Sequence, residues 1–186
     1  GAAGTAAGTL PGVAVTYAGD VASPTQTSDG AGTNYWNPAA PYLSPTVDNA
    51  PPCCEIITLD FGPSELTFSS PLVNPIMAIV SLGRPNQVVS YDFEQPFNVL
   101  SFGPGFWGGP GTLTELPGDV LQGIEGHGVI QFQGTFSSIS WRTSSPEFWH
   151  GLHIGTAASV PDPASTFFLF GTAGLGLLAM ARRRKK

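Results

Sequence analysis

Hydrophobic and polar positions follow two different patterns along the chain. Up to about residue 156, apolar residues come in short runs, alternating or continuous, broken by Gly, Pro and Asn. From Ala164 to Ala181 they merge into one uncharged stretch with no polar face. The first pattern predicts β-strands. Residues 13–17 alternate. Residues 55–61 put Ile57, Leu59 and Phe61 on one face, because successive strand side chains point to opposite sides. Residues 66–68 make a short strand. Residues 74–82 are almost continuously apolar, which suits a central strand covered on both faces. Strands follow at 88–93 and 97–102, then at 113–116, 120–124, 128–132 and 135–141, with Gly134 predicting a hairpin between the last two. Residues 150–154 supply the final strand.

Between these runs, residues 83–86 and 103–111 (GPGFWGGPG) carry turn chemistry. Residues 22–52 are rich in Ser, Thr, Pro, Gly and Asn, and predict a long loop pinned to the core by Tyr35, Trp36, Tyr42 and Leu43. Residues 1–8 are Gly, Ala and Thr and predict a flexible leader. Roughly ten short strands without helical periodicity before residue 164 predict an all-β fold, an antiparallel β-sandwich with a jelly-roll-like topology, over residues 9–156. The second pattern predicts a C-terminal single transmembrane α-helix over residues 165–181, joined by a linker at 157–164. The 18 residues from Ala164 to Ala181 would rise about 27 Å as a helix, close to the hydrocarbon thickness of a bilayer. Arg182, Arg183, Arg184, Lys185 and Lys186 then form a stop-transfer tail, residues 182–186, held on the cytoplasmic side.

Charge sharpens this division. The 186-residue chain carries a net −6, but residues 1–159 hold twelve acids against Arg84 and Arg142, a net −10, and residues 160–186 hold +4. A body this acidic, with no lysine, is repelled by phosphate backbones, so nucleic acid is excluded as a partner. Gly and Pro make up 42 residues, yet 41% of the chain is hydrophobic and only 11% charged. Disorder needs the opposite balance, so the turns belong to a folded domain. Cys53 and Cys54 are adjacent. A disulfide between neighbours closes a small strained ring and is uncommon. They read first as two small residues at a strand start, one facing inward; intermolecular pairing, metal or redox work are the alternatives. There is no CxxC.

The segment before the apolar run adds a motif. Val160, Pro161, Asp162 and Pro163 place an acid between two prolines one short step before the membrane segment. Motif, span and basic tail in that order resemble the PEP-CTERM sorting signal of Gram-negative envelope proteins. The resemblance covers about 27 residues, with Asp162 standing where the family usually has Glu; the carboxylate is kept and one methylene is lost. It implies recognition and cleavage by the membrane protease-transpeptidase exosortase. It also implies export, anchoring in the inner membrane in transit, then a cell-surface or extracellular location. An exported protein needs an N-terminal signal peptide; the sequence begins at Gly1 without one, so it is expected to have been removed or to lie outside this sequence. The body resembles domains that precede such signals in other exported proteins, through NYWNP (34–38), VNPIMAIVSLG (73–83), GPGFWGG (103–109), EGHGVIQF (125–132) and PEFWHGLHIG (146–155). That likeness implies a shared β fold and no activity. The Gram-positive sortase route needs LPxTG before the span, which neither LPGV (10–13) nor LPGD (116–119) supplies.

Candidate chemistry in the body is sparse. Glu125 with His127, and Glu147 with His150 and His153, are its only histidine and acid groups. His150 and His153 have opposite parity and should diverge on a strand, so no metal site is assigned to His127, His150 and His153. Glu94, Glu115, Glu125 and Glu147 are scattered, no GxSxG nucleophile elbow occurs, and the Gly-rich loop lacks the GK[ST] of a phosphate cradle. No catalytic residue, metal or cofactor is therefore assigned. Trp141 ends a strand and reads as core. Trp36, Trp107 and Trp149 fall in loop contexts and are the candidate ligand-binding residues, as exposed platforms for the sugar rings of an exopolysaccharide. The expected function is that of an exported, non-enzymatic cell-surface or matrix protein. The alternatives are a lectin-like carbohydrate-binding module and, beyond it, a hydrolase.

Overall fold

A computed structural model describes residues 2–27, 31–44, 47–48, 50–51 and 53–159. The sorting motif 160–163, the expected transmembrane helix 165–181 and the basic tail 182–186 lie outside the described residues. Among the described residues no helix is long and apolar enough to cross a membrane.

Alternation of burial builds the strands. In β5 (Gly62–Val73), Ser64, Leu66 and Phe68 are buried while Pro63, Glu65 and Thr67 are exposed. β6 (Pro75–Leu82) is buried at every position, as its continuous apolar run predicts. Met77 and Ile79 face the main core, and Ile76, Ala78 and Val80 face a second cluster on the other side. Ser81, at φ 59°, breaks the alternation, and Leu82 joins the main core.

The remaining strands are β1 (Ala2–Leu10), β2 (Val13–Val21), β3 (Val47–Asp48), β4 (Ile57–Leu59), β7 (Val89–Phe93), β8 (Phe97–Phe102), β9 (Thr112–Leu116), β10 (Val120–Ile124), β11 (Gly126–Phe132), β12 (Thr135–Thr143), β13 (His150–Thr156) and β14 (Ala158–Ser159). They form a seven-stranded sheet in the order β1-β2-β5-β12-β7-β10-β9 and a five-stranded sheet in the order β4-β13-β6-β11-β8. A two-stranded sheet pairs β14 with β3. All pairings are antiparallel. The all-β, sandwich-like fold expected from the strand pattern is therefore present.

Two hydrophobic layers hold it. Between the sheets pack Tyr17, Tyr91, Phe93, Phe97, Phe132 and Trp141 with aliphatic partners from both sheets. Full burial of each large apolar side chain contributes roughly 1.5–3 kcal/mol. The Tyr17 hydroxyl reaches Ser64 Oγ at 2.9 Å and donates to the Asp20 carbonyl at 2.7 Å; burial pushes its pKa up to about 12. On the outer face of the five-stranded sheet, Trp36 and Tyr42 cover Ile56, Ile76, Ala78, Val80 and Val129. They come from the long polar segment, which carries a 3₁₀ turn at Ala40–Tyr42. Tyr35, Trp36 and Tyr42 pin that segment as expected, whereas Leu43 is exposed.

Four expectations need correction. Of the expected flexible leader, residues 2–8 are instead strand: residues 2–10 pair with β2 position by position, from Ala2 opposite Val21 to Leu10 opposite Val13. Their small side chains give no hydrophobic signal, and the backbone pairing makes the strand. Gly134 does not close a hairpin, because β11 and β12 belong to different sheets and the chain crosses the core between them. Phe61 leaves the face of Ile57 and Leu59 and is exposed, since β4 ends at Leu59. Cys53 and Cys54 form a disulfide, in a turn where Cys54 takes φ 86°. Cys54 is the inward member and Cys53 is exposed.

Candidate functional site

The Gly-rich loop 103–111 settles on the outer face of the five-stranded sheet, over β11. Gly103 N–H donates to the His127 carbonyl at 3.1 Å, and Gly108 N–H closes the loop on the Gly105 carbonyl at 2.9 Å. Gly105 lies so close to the His127 ring that any Cβ there would overlap it. The loop therefore needs glycine at this point to seat.

Seating the loop pushes two aromatic side chains outward. Phe106 is 40% exposed and Trp107 47%. Tyr35 stacks on Trp107 with ring centroids 5.6 Å apart and meets Phe106 edge-on at 5.1 Å. Trp149, nearly buried, supports both Trp107 at 5.0 Å and Tyr35 at 5.2 Å. Three separate segments thus build one aromatic cap. Edge-to-face and offset packing of this kind fixes ring orientation, each pair contributing about 0.5–1.5 kcal/mol beyond area burial.

Polar groups lie beneath the cap. The His127 ring, fully buried, lies tilted under Trp107 with ring centroids 6.2 Å apart. Its Nδ1 is 3.3 Å from the Tyr42 hydroxyl. Its Nε2 has no hydrogen-bond partner and lies 3.8 Å from Glu125 Oε1, which accepts from Ser81 Oγ at 2.7 Å. Burial pushes His127 down to about 4 and raises the Tyr42 phenol, so both are neutral near pH 7.

Of the three expected platforms, the structure puts one at the surface. Trp107 is exposed; Trp149 is the support beneath it; Trp36 is 2% exposed and belongs to the outer core. The correction for Trp36 has a local cause. Asn34 Oδ1 accepts from Trp36 N–H at 3.0 Å, a turn that sends the indole inward, where Nε1 donates to the Glu55 carbonyl at 3.0 Å. Tyr35, its neighbour, joins the cap instead. Tyr35 and Phe106 are the cap residues that a reading by tryptophans alone does not reach, although each adjoins one, Trp36 and Trp107. Trp141 is in the main core, as expected.

The histidines stay apart. His150 faces the inside, 5.2 Å from the Tyr91 ring and 2.5 Å from Glu147 Oε1, at an angle that does not make a hydrogen bond. His153 faces outward, edge-on to Trp36 at 6.0 Å and 3.9 Å from Glu55. Strand parity predicts this divergence. Among the described residues no three His, Cys, Asp or Glu side chains come together as a metal would require. Glu125 and Glu147 both secure the end of β6, through Ser81 Oγ and through Gly83 N–H at 3.1 Å. Glu94 and Glu115 are exposed. No protein-family model matches the chain, and no curated protein or solved structure matches it either.

Proposed function

We propose that the chain is an exported, non-enzymatic surface or matrix protein, with residues 160–186 as a detachable sorting signal and the β-sandwich as the part displayed. The observation that carries this reading is the segregation of charge and hydropathy. Five of the seven cations and the long apolar run follow Val160, Pro161, Asp162 and Pro163, while the body is a lysine-free polyanion. On this reading the Pro-acid-Pro element is recognised by exosortase, the apolar run holds it at membrane depth, and the cations fix orientation. Strand order supports the jelly-roll-like form of the sandwich: β4-β13-β6-β11 in one sheet and β5-β12-β7-β10 in the other, with the chain changing sheet at each step from β4 to β7. Intact mass spectrometry of the protein from its native envelope tests the sorting reading. The expected species lacks Arg182, Arg183, Arg184, Lys185 and Lys186. An exported species that keeps all five overturns the processing step.

A second reading, carbohydrate binding, is favoured by the exposed cap of Tyr35, Phe106 and Trp107. Flat rings fixed at a surface suit the C–H faces of sugars, and a sandwich is a frequent lectin scaffold. Trp107→Ala is expected to weaken glycan binding by about 2 kcal/mol, roughly thirtyfold, as loss of a central aromatic anchor does. The thermal midpoint should fall by only about 5–10 °C through the lost pairs with Tyr35, Phe106 and Trp149, leaving the protein folded for the binding measurement. Glycan-array binding unchanged by Trp107→Ala removes the cap from the binding surface.

A further inference from the structure

Of the four edges of the two main sheets, those at β4, β8 and β9 are closed. Beside β4 runs the segment 22–26: Ala22 N–H donates to the Thr58 carbonyl at 2.8 Å, and Gln26 and Ile56 exchange two bonds of 2.9 Å. β8 is bulged against β11, where the register shifts between Val129 and Ile130. Its Ser101 Oγ also donates to the Pro41 carbonyl of the 3₁₀ turn at 2.8 Å. β9 is five residues long, carries the exposed Glu115 and stops before Pro117. Cover, bulge and charge are the devices that keep one sheet edge from pairing with another.

β1 has none of these. It runs nine residues with no charged side chain, no proline and no shift of register. It ends the seven-stranded order, and among the described residues β2 alone pairs with its backbone. The two-residue turn at Pro11 and Gly12 makes Leu10 and Val13 the closing pair, so even-numbered residues of β1 bond to β2. Ala3, Thr5, Ala7 and Thr9 therefore point their N–H groups outward, and their side chains are exposed. An antiparallel edge turned about a two-fold axis matches its own donors and acceptors. The body carries a net −10, yet its first charged side chain is Asp20, so two bodies that repel elsewhere can meet along residues 2–10. We propose that β1 pairs antiparallel with β1 of a second copy of this chain, joining two seven-stranded sheets into one. Because β9 is guarded, association closes at a dimer and does not run on into a fibre.

Sedimentation equilibrium of the full chain in nonionic detergent tests this. The parent should show a concentration-dependent equilibrium between monomer and dimer. Ala7→Lys and Ala7→Glu set like charges across the axis, and each should weaken the dimer about tenfold or more. Their thermal midpoints should change little, since residue 7 is exposed. Mixed in equal amounts, the two variants should dimerise again through Lys–Glu pairs. Ala7→Pro removes an outward N–H without touching the bonds to β2; it should give the same loss, and it decides the matter if a charged variant fails to fold. In the parent, hydrogen exchange at Ala3, Thr5, Ala7 and Thr9 should slow as protein concentration rises. The proposal is overturned if the parent stays monomeric up to about 1 mM, or if the dimer persists in the Ala7 variants, which would place association in the apolar tail or on another face. Failure of the mixed variants to dimerise overturns it too. So does protection of those four amides in the monomer, which would mean that a segment of the same chain covers the edge.

Discussion

Trp36→Ala should cost about 3–5 kcal/mol of folding stability, the range for deleting a large aromatic from a packed core. The indole is 2% exposed, edge-on to Tyr42 at 5.2 Å and to His153 at 6.0 Å. Truncation removes those contacts and leaves a cavity over β6. It also leaves the Glu55 carbonyl without its donor, a loss of about 1 kcal/mol or more where the group stays buried. Little collapse can repair the gap, because the residues below it, Ile76, Ala78 and Val80, belong to the strand at the centre of the five-stranded sheet. Trp36→Phe keeps a ring against Tyr42 and should lose roughly half as much. Urea unfolding followed by circular dichroism measures both. A Trp36→Ala protein within about 1 kcal/mol of the parent would show that the outer cluster contributes little to folding. The effect is one of stability. A glycan-binding loss in this variant therefore says nothing about contact with sugar.

What could be read from the sequence followed the strength of each residue's side-chain signal. β6 was legible on both faces because every position along it is apolar or small. His150 and His153 were legible as diverging, because period two is set by backbone geometry and not by context. β1 was not, because Ala, Gly and Thr carry no burial preference strong enough to separate a paired strand from a loose one; only its partner, β2, determines it. The crossing at Gly134 was illegible for a related reason. A glycine between two strands marks a turn, and whether that turn pairs them or hands the chain to the other sheet depends on the core they share. The aromatic cap was half legible. Trp107 in a glycine-rich loop pointed outward, but the indole of Trp36 is turned inward by Asn34, and no periodicity records a single side-chain hydrogen bond. The pairing of Cys53 with Cys54 is illegible from general disulfide geometry, because it depends on a local backbone bend in which Cys54 takes φ 86°.

Stability should fall by up to about 5 kcal/mol between pH 6.5 and pH 4, most of it through two histidines. In the folded chain His127 and His153 are each pushed down to about 4 by burial, from an ordinary value of 6.5. In that window the unfolded chain binds protons that the folded chain refuses. The stabilisation is therefore complete above pH 6.5 and is lost as pH falls through the folded values. A depression of about 2.5 pH units is worth about 3 kcal/mol per group at most, and His153, partly exposed, should contribute the smaller share. Charging His127 is the costlier event, since its ring lies between Tyr42 and Trp107 and, among the described residues, Glu125, 3.8 Å from Nε2, is the acid placed to offset the charge. Because Gly105 rests directly on that ring, the aromatic cap should loosen with it. Urea midpoints measured from pH 7.5 to 4 test this. His127→Gln, which cannot titrate and can still accept from Tyr42, should remove more than half of the slope, and His127→Gln with His153→Gln most of it. A flat profile in the parent would show that neither histidine resists protonation, and an undiminished slope in His127→Gln would place the acid sensitivity outside the cap.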